Sequence, residues 1–88
     1  MAHLNFEWDA SPSPGVESYN LYENGELIVP DIGVLSFSLL MDGKPDGIYS
    51  YYVTAQDANG YESAPSNTVT ANFTKPEAPA NLRVSWLV

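Results

Sequence analysis

One histidine, no cysteine and eleven carboxylates are all that this chain offers to nucleophilic, general-base or metal chemistry. A hydrolytic triad needs a base within reach of a hydroxyl or thiol, and a carboxylate to orient that base. His3 stands at the start of an alternating apolar pattern, and no motif marks a partner for it, so it reads as a surface residue. Asp31, Asp42, Asp46 and Asp57 have the hard oxygen ligands that calcium takes. Their spacing follows no calcium loop, however, and Asp42-Gly43 and Asp46-Gly47 are ordinary turn pairs. Neither a nucleophile–base pair nor a pair of acids suited to proton transfer is marked. The expectation is a chain that is not an enzyme, with no catalytic residue, no metal site and no cofactor. Tyr22, Tyr52 and Tyr61 are the remaining candidates for recognition chemistry. They could form an exposed aromatic patch that meets protein or sugar. Strand propensity alone also places tyrosines on solvent faces.

The elements that would position these groups follow from composition and pattern. The chain has 88 residues, enough for one domain, and is 44% hydrophobic with eleven aromatics, as a folded chain rather than a disordered one requires. Its net charge of −8 sets eleven acids against Lys44, Lys75 and Arg83. Nucleic-acid binding and attraction to anionic lipid both need a basic footprint, so neither partner is expected. The acidity serves solubility, or a basic docking surface on a protein partner. Without cysteine the domain coheres by packing alone, which fits a reducing compartment but does not require one. Met1-Ala2-His3 leads straight into a strand pattern with no signal-peptide character, and the apolar runs are far too short to span a membrane.

Leu4, Phe6 and Trp8 alternate with polar residues at the period of a half-buried strand. Ser11-Pro12-Ser13-Pro14-Gly15 breaks the pattern, and a second strand follows over Ser18–Glu23 with Tyr19 and Leu21 on one side. Asn24-Gly25 suits the two positive φ values of a type I′ turn, which predicts a tight hairpin into Leu27–Val29. Pro30 to Gly33 reads as a loop, Leu35–Leu40 as a strand, and Met41 to Gly47 as a turn-rich link. The longest strand is predicted over Ile48–Gln56, with Tyr49, Tyr51, Val53 and Ala55 on one side, and the last over Asn67–Phe73. Such short strands, regularly spaced and without helical period, indicate an all-β antiparallel sandwich over residues 3–73. Its core would hold Trp8, Tyr19, Leu21, Phe37, Tyr49, Tyr51, Val53 and Val69. Residues 74–88 form a proline-containing linker and a strand-like C-terminal segment, in which Leu82, Val84 and Trp86 share one face.

In order and spacing these pieces resemble a fibronectin type III domain, an immunoglobulin-like sandwich. Leu4-Asn5-Phe6-Glu7-Trp8 is similar to the family's second strand with its core tryptophan, and Ser18 to Glu26 to its third strand and hairpin. The most specific piece is Tyr49-Ser50-Tyr51-Tyr52-Val53-Thr54-Ala55-Gln56-Asp57, which resembles the sixth strand. The resemblance makes Tyr49 the tyrosine of the sandwich corner. Gly60 to Asn67 completes the pattern as the last hairpin. The link before Tyr49 is slightly longer than the family's, and no Arg-Gly-Asp occurs.

The main departure is the first strand. Family members open on a Pro-x-x-Pro-x-x-Leu segment ahead of the tryptophan strand, yet here only two residues precede His3. A segment of that kind, Pro76-Glu77-Ala78-Pro79-Ala80-Asn81-Leu82-Arg83-Val84, stands at the opposite end. The strand carrying Leu4 and Phe6 is then an unprotected edge that invites another strand. Burying Leu82, Val84 and Trp86 would contribute about 4–8 kcal/mol before ordering costs. The seven linking residues from Thr74 to Ala80 reach about 23–25 Å. Closure onto the chain's own body is thus geometrically open but taut, donation to an identical subunit or a host protein is a second route, and a fragment cut from a longer protein is the third reading. The residues expected to bind a partner are Leu82, Val84, Trp86 and Leu87 on the donor side and Leu4 and Phe6 on the edge.

The resemblance is strongest to bacterial and bacteriophage members of the family. It implies a non-enzymatic structural or interaction module, namely an accessory or decoration protein of a bacteriophage virion (head, neck or tail). Its partner would be protein, as a homo-oligomer or a larger virion or surface assembly. The alternative is a spacer or carbohydrate-associated module of a secreted bacterial glycoside hydrolase, located outside the cell or at its surface.

Overall fold

A computed structural model describes residues 2–74 and 76–86. Among them are six strands and no helix: β1 (His3–Glu7), β2 (Val16–Glu23), β3 (Glu26–Ile32), β4 (Ser36–Leu40), β5 (Gly47–Asp57) and β6 (Val69–Phe73). They form two antiparallel sheets, one of two strands in the order β1-β4 and one of four in the order β3-β2-β5-β6. The sheets pack face to face as in a β-sandwich. Leu4, Phe6, Phe37 and Leu39 come from the smaller sheet and pack onto buried Leu21, Ile32 and Tyr51 of the larger. Period-two alternation makes this possible, because it sends every second side chain of β1 and β4 to the same face. The Phe6 ring meets Tyr51 at 4.8 Å between centroids and Trp8 meets Tyr19 at 5.8 Å, both tilted as aromatic quadrupoles prefer.

Local chemistry sets the connections. Asn24 and Gly25 adopt φ of 50° and 83°, as the expected type I′ turn demands, and the Asn24 side-chain oxygen accepts from the Ser50 amide. The β4–β5 link is tied by the Tyr49 hydroxyl, which donates to the Pro45 carbonyl. The segment expected to be a loop after Val29 instead continues β3 through Pro30 to Ile32. Proline is tolerated because β3 lies at the sheet edge. A bulge places Asp31 at φ 56°, with its amide donating to the Asn20 side chain, and this swings Ile32 into the core at 6% exposure. The last strand begins at Val69 rather than Asn67. Ahead of it the chain tracks β5 irregularly, with the Ser63 and Ser66 hydroxyls accepting from the Ala55 and Val53 amides.

Strand direction fixes the geometry of the two ends. Gly47 pairs with Phe73 and His3 with Leu40, and the Met41 amide bonds the Ala2 carbonyl. The beginning of β1, the beginning of β5 and the end of β6 therefore share one pole. Trp8, the start of β2 and the end of β5 share the other. The C-terminal segment leaves from the first pole. The molecule is 75 Å long, with a radius of gyration of 19.5 Å. A compact chain of this length would have about 12 Å. The tail extends outward.

Candidate interaction site

The open margin of β1 is the starting point. Antiparallel ladders alternate hydrogen-bonded and non-bonded pairs. The Trp8 amide donates to the Leu35 carbonyl and Met41 to Ala2, so the even-numbered peptide groups of β1 point toward β4. The amides and carbonyls of His3, Asn5 and Glu7 consequently point to the free edge. Their side chains lie on the exposed outer face, where the Ser38 hydroxyl donates to the Asn5 side-chain oxygen at 2.8 Å.

Beside this edge lies an open groove of about 560 Å³. Phe6, Trp8, Tyr19, Val53, Ala55 and Val69 line it, with Glu7, Asp9, Ser63 and Ser66 also bordering it. The cause is a mismatch of width, since two strands cannot cover four. Val69 shows this most directly. It pairs with fully buried Tyr51 and so faces inward, yet it is 45% exposed. The sequence placed Val69 in the core. It turns toward the core side, but no strand among the described residues lies over it. Trp8 is half-buried at the groove, and its indole Nε1 is buried with no hydrogen-bond partner among the described residues.

The other expected core residues divide clearly. Leu21 and Tyr51 are fully buried, whereas Trp8, Tyr19, Phe37, Tyr49 and Val53 pack against them while partly exposed. Leu4 and Phe6, expected at a partner interface, face the chain's own core, and it is their strand's backbone margin that stays open. On the donor side Leu82, Val84 and Trp86 are 100%, 96% and 97% exposed, and residues 81–86 form no strand. Self-closure is thus not the arrangement seen. The Arg83 guanidinium donates only as far as the Asn81 carbonyl, two residues away. Leu87 lies outside the described residues.

Three clusters elsewhere bear on function. Tyr22 and Tyr52 stack at 4.8 Å on the outer face of the larger sheet. The Tyr22 hydroxyl donates to Glu62 at 2.6 Å and Thr54 donates to the same carboxylate at 2.7 Å. These two bonds, led by the one from Tyr22, hold the Glu62 carboxyl below its ordinary value, and the same bond with some burial raises the Tyr22 phenol. Tyr61 does not join the stacked rings and is 74% exposed. Beneath this face buried Asn20 donates to Thr54 and Gln56, closing a polar network that sequence reasoning missed, since nothing in the alternation marks an outward residue as covered. At the pole where β1 begins, the Tyr51 hydroxyl donates to Glu23 at 2.8 Å, and Glu23 is paired with Lys44 at 2.7 Å. Burial first, and then Glu23, push the Tyr51 phenol well above its ordinary value. Met41, which the sequence left in a turn, is buried beneath this hydroxyl, 3.7 Å from it. An apolar residue directly after a strand was the available signal.

His3 sits exposed on β1. The Asp42 carboxylate accepts from the Ala2 amide, and that of Asp57 from Asn59 and Tyr61, the work of turn residues. Among the described residues no three His, Cys, Asp or Glu side chains gather as a metal site would need. Comparison of the chain with protein-family models, curated proteins and solved structures gives no match.

Proposed function

We propose that this chain is a non-enzymatic interaction module of fibronectin type III kind that joins a larger protein assembly by strand addition at β1. The observation that carries the reading is the open β1 margin over an apolar groove whose inward-facing Val69 has no cover. Edges of this kind bind extended segments through main-chain hydrogen bonds, with alternate side chains entering the groove. The strand orders β1-β4 and β3-β2-β5-β6, together with the Tyr49–Pro45 corner bond, support the family reading, and among the described residues β1 has no strand beside its outer margin.

Within that class the resemblance favours an accessory or decoration protein of a bacteriophage virion. Detection of the chain in purified particles by mass spectrometry supports this role. Its recovery only among secreted glycoside hydrolases favours the alternative, a carbohydrate-associated spacer. The stacked Tyr22–Tyr52 pair is the observation on that alternative's side, because flat aromatic surfaces suit sugar rings.

The edge itself is tested by Asn5→Pro. This change removes an amide that faces away from β4, so the β1–β4 ladder survives while the open margin loses a donor. Sedimentation should show concentration-dependent assembly for the native chain and its loss in the variant. A native chain that stays monomeric up to millimolar concentration, with no other protein bound at β1, contradicts the reading.

A further inference from the structure

Resting on that reading, we infer that the occupant of the groove is residues 81–86 of a second copy of this chain. The donated strand runs antiparallel to β1, and successive copies join head to tail.

The pairing follows from two alternations. The donor's apolar face carries Leu82, Val84 and Trp86, and β1 turns Leu4, Phe6 and Trp8 toward the core. An antiparallel strand that keeps these faces together sets Leu82 beside Trp8, Val84 beside Phe6 and Trp86 beside Leu4. The same register sets Arg83 opposite Glu7 and Ser85 opposite Asn5. Those β1 residues are the ones whose peptide groups point outward, so each pair can exchange two N–H···O bonds. It also brings Arg83 to the acidic rim of Glu7 and Asp9, and the wider charge distribution agrees. Ten of the eleven acids lie in residues 2–74 with Lys44 as the one base there, whereas residues 75–88 hold Glu77, Lys75 and Arg83. The body carries −9 and the tail +1, so a copy's tail is drawn to a copy's body.

Direction decides between a closed exchange and an open chain. The tail leaves its own body at the pole where β1 begins, and the donated strand enters its acceptor at the opposite, Trp8, pole. The acceptor's own tail then departs from its far end, away from the donor. Reciprocal exchange between two copies would require both linkers to double back along the sandwich. Self-closure makes the same demand on the seven residues from Thr74 to Ala80. They must climb the height of β1, about 17–20 Å, and cross the sheet spacing of about 10 Å with a reach of about 23–25 Å. Head-to-tail joining uses that reach outward, in the direction the tail takes. The contact is heterologous, and copies add in one direction to give a filament or, if the rotation closes, a ring.

The absence of native cysteine makes the register directly readable. A chain carrying both Glu7→Cys and Arg83→Cys, oxidised at a concentration where it self-associates, should yield a ladder of covalent multimers that collapses on reduction. The positions are opposed as a disulfide requires. The Asn5→Cys, Arg83→Cys pair is displaced by two residues and should cross-link at least tenfold less. A locked monomer in place of the ladder assigns the groove to the chain's own tail, and a product stopping at the dimer indicates reciprocal exchange; either overturns the inference while leaving edge addition standing. Equal cross-linking from the displaced pair overturns the register. Association with no cross-link shows that copies meet elsewhere and overturns the inference, as does absence of association; the underlying reading falls with it only if no other protein binds at β1 either.

Discussion

Replacing Trp86 with alanine separates a tail that works between molecules from one that works at home. In the isolated molecule Trp86 is 97% exposed, so its loss removes no packing and should change the stability of the body by less than about 0.5 kcal/mol. Docked beside Leu4 in a second copy, the indole would lose most of its contact with water. Burial of a large apolar side chain stabilises by about 1.5–3 kcal/mol, and the upper part of that range suits an indole. A loss of about 2–3 kcal/mol weakens association roughly 30- to 150-fold. Sedimentation equilibrium over a concentration series gives the association constant, and urea unfolding of the dilute chain gives the stability of the body. A large change is expected in the first and none in the second. An unchanged association constant refutes the assigned role of Trp86. A dilute chain that loses stability on the substitution refutes the exposed placement of the tail.

Other substitutions probe the body. Tyr51→Phe removes a bond to the Glu23 carboxylate, worth about 1.5–3 kcal/mol for a charged partner, and the low end is expected because Lys44 still holds Glu23; thermal unfolding reads it as a drop of several degrees. Glu62 has a lowered carboxyl, so its contribution is present above its ordinary value of 4.5 and is lost as pH falls through its folded value. Glu62→Gln should therefore flatten that part of the acid limb in urea unfolding across pH 3–6 and leave the pH 7–9 region parallel to the native chain. Gly25→Ala meets no neighbouring atom, so its cost is that of a side chain at φ 83°, about 1–2 kcal/mol, measured by chemical denaturation.

Much of the body was legible because its physics is local. Alternation in Leu4–Trp8 and Tyr49–Ala55 placed β1 and β5, and Asn24-Gly25 fixed a hairpin, since few residue pairs accept two positive φ values. Ile32 and Met41 were misplaced because their burial depends on a bulge and a link, which sequence period does not encode. Asn20 escaped for a related reason, as its cover comes from Thr54, Gln56 and the Asp31 amide, all distant in the chain. The site was half legible. The alternation of Leu82, Val84 and Trp86 could be read as an apolar face on the tail, and the alternation of Leu4, Phe6 and Trp8 as a strand with one face inward. The groove could not, because its volume arises from two sheets of unequal width.

Residue-resolved amide exchange at low and high concentration addresses the β1 margin most directly. In the monomer the Leu4, Phe6 and Trp8 amides should be protected by β4, with Asn5 and Glu7 exchanging freely. On assembly Asn5 and Glu7 should become protected together with Arg83 and Ser85. If Asn5 and Glu7 still exchange freely when sedimentation shows the chain assembled, the margin of β1 is not where copies meet.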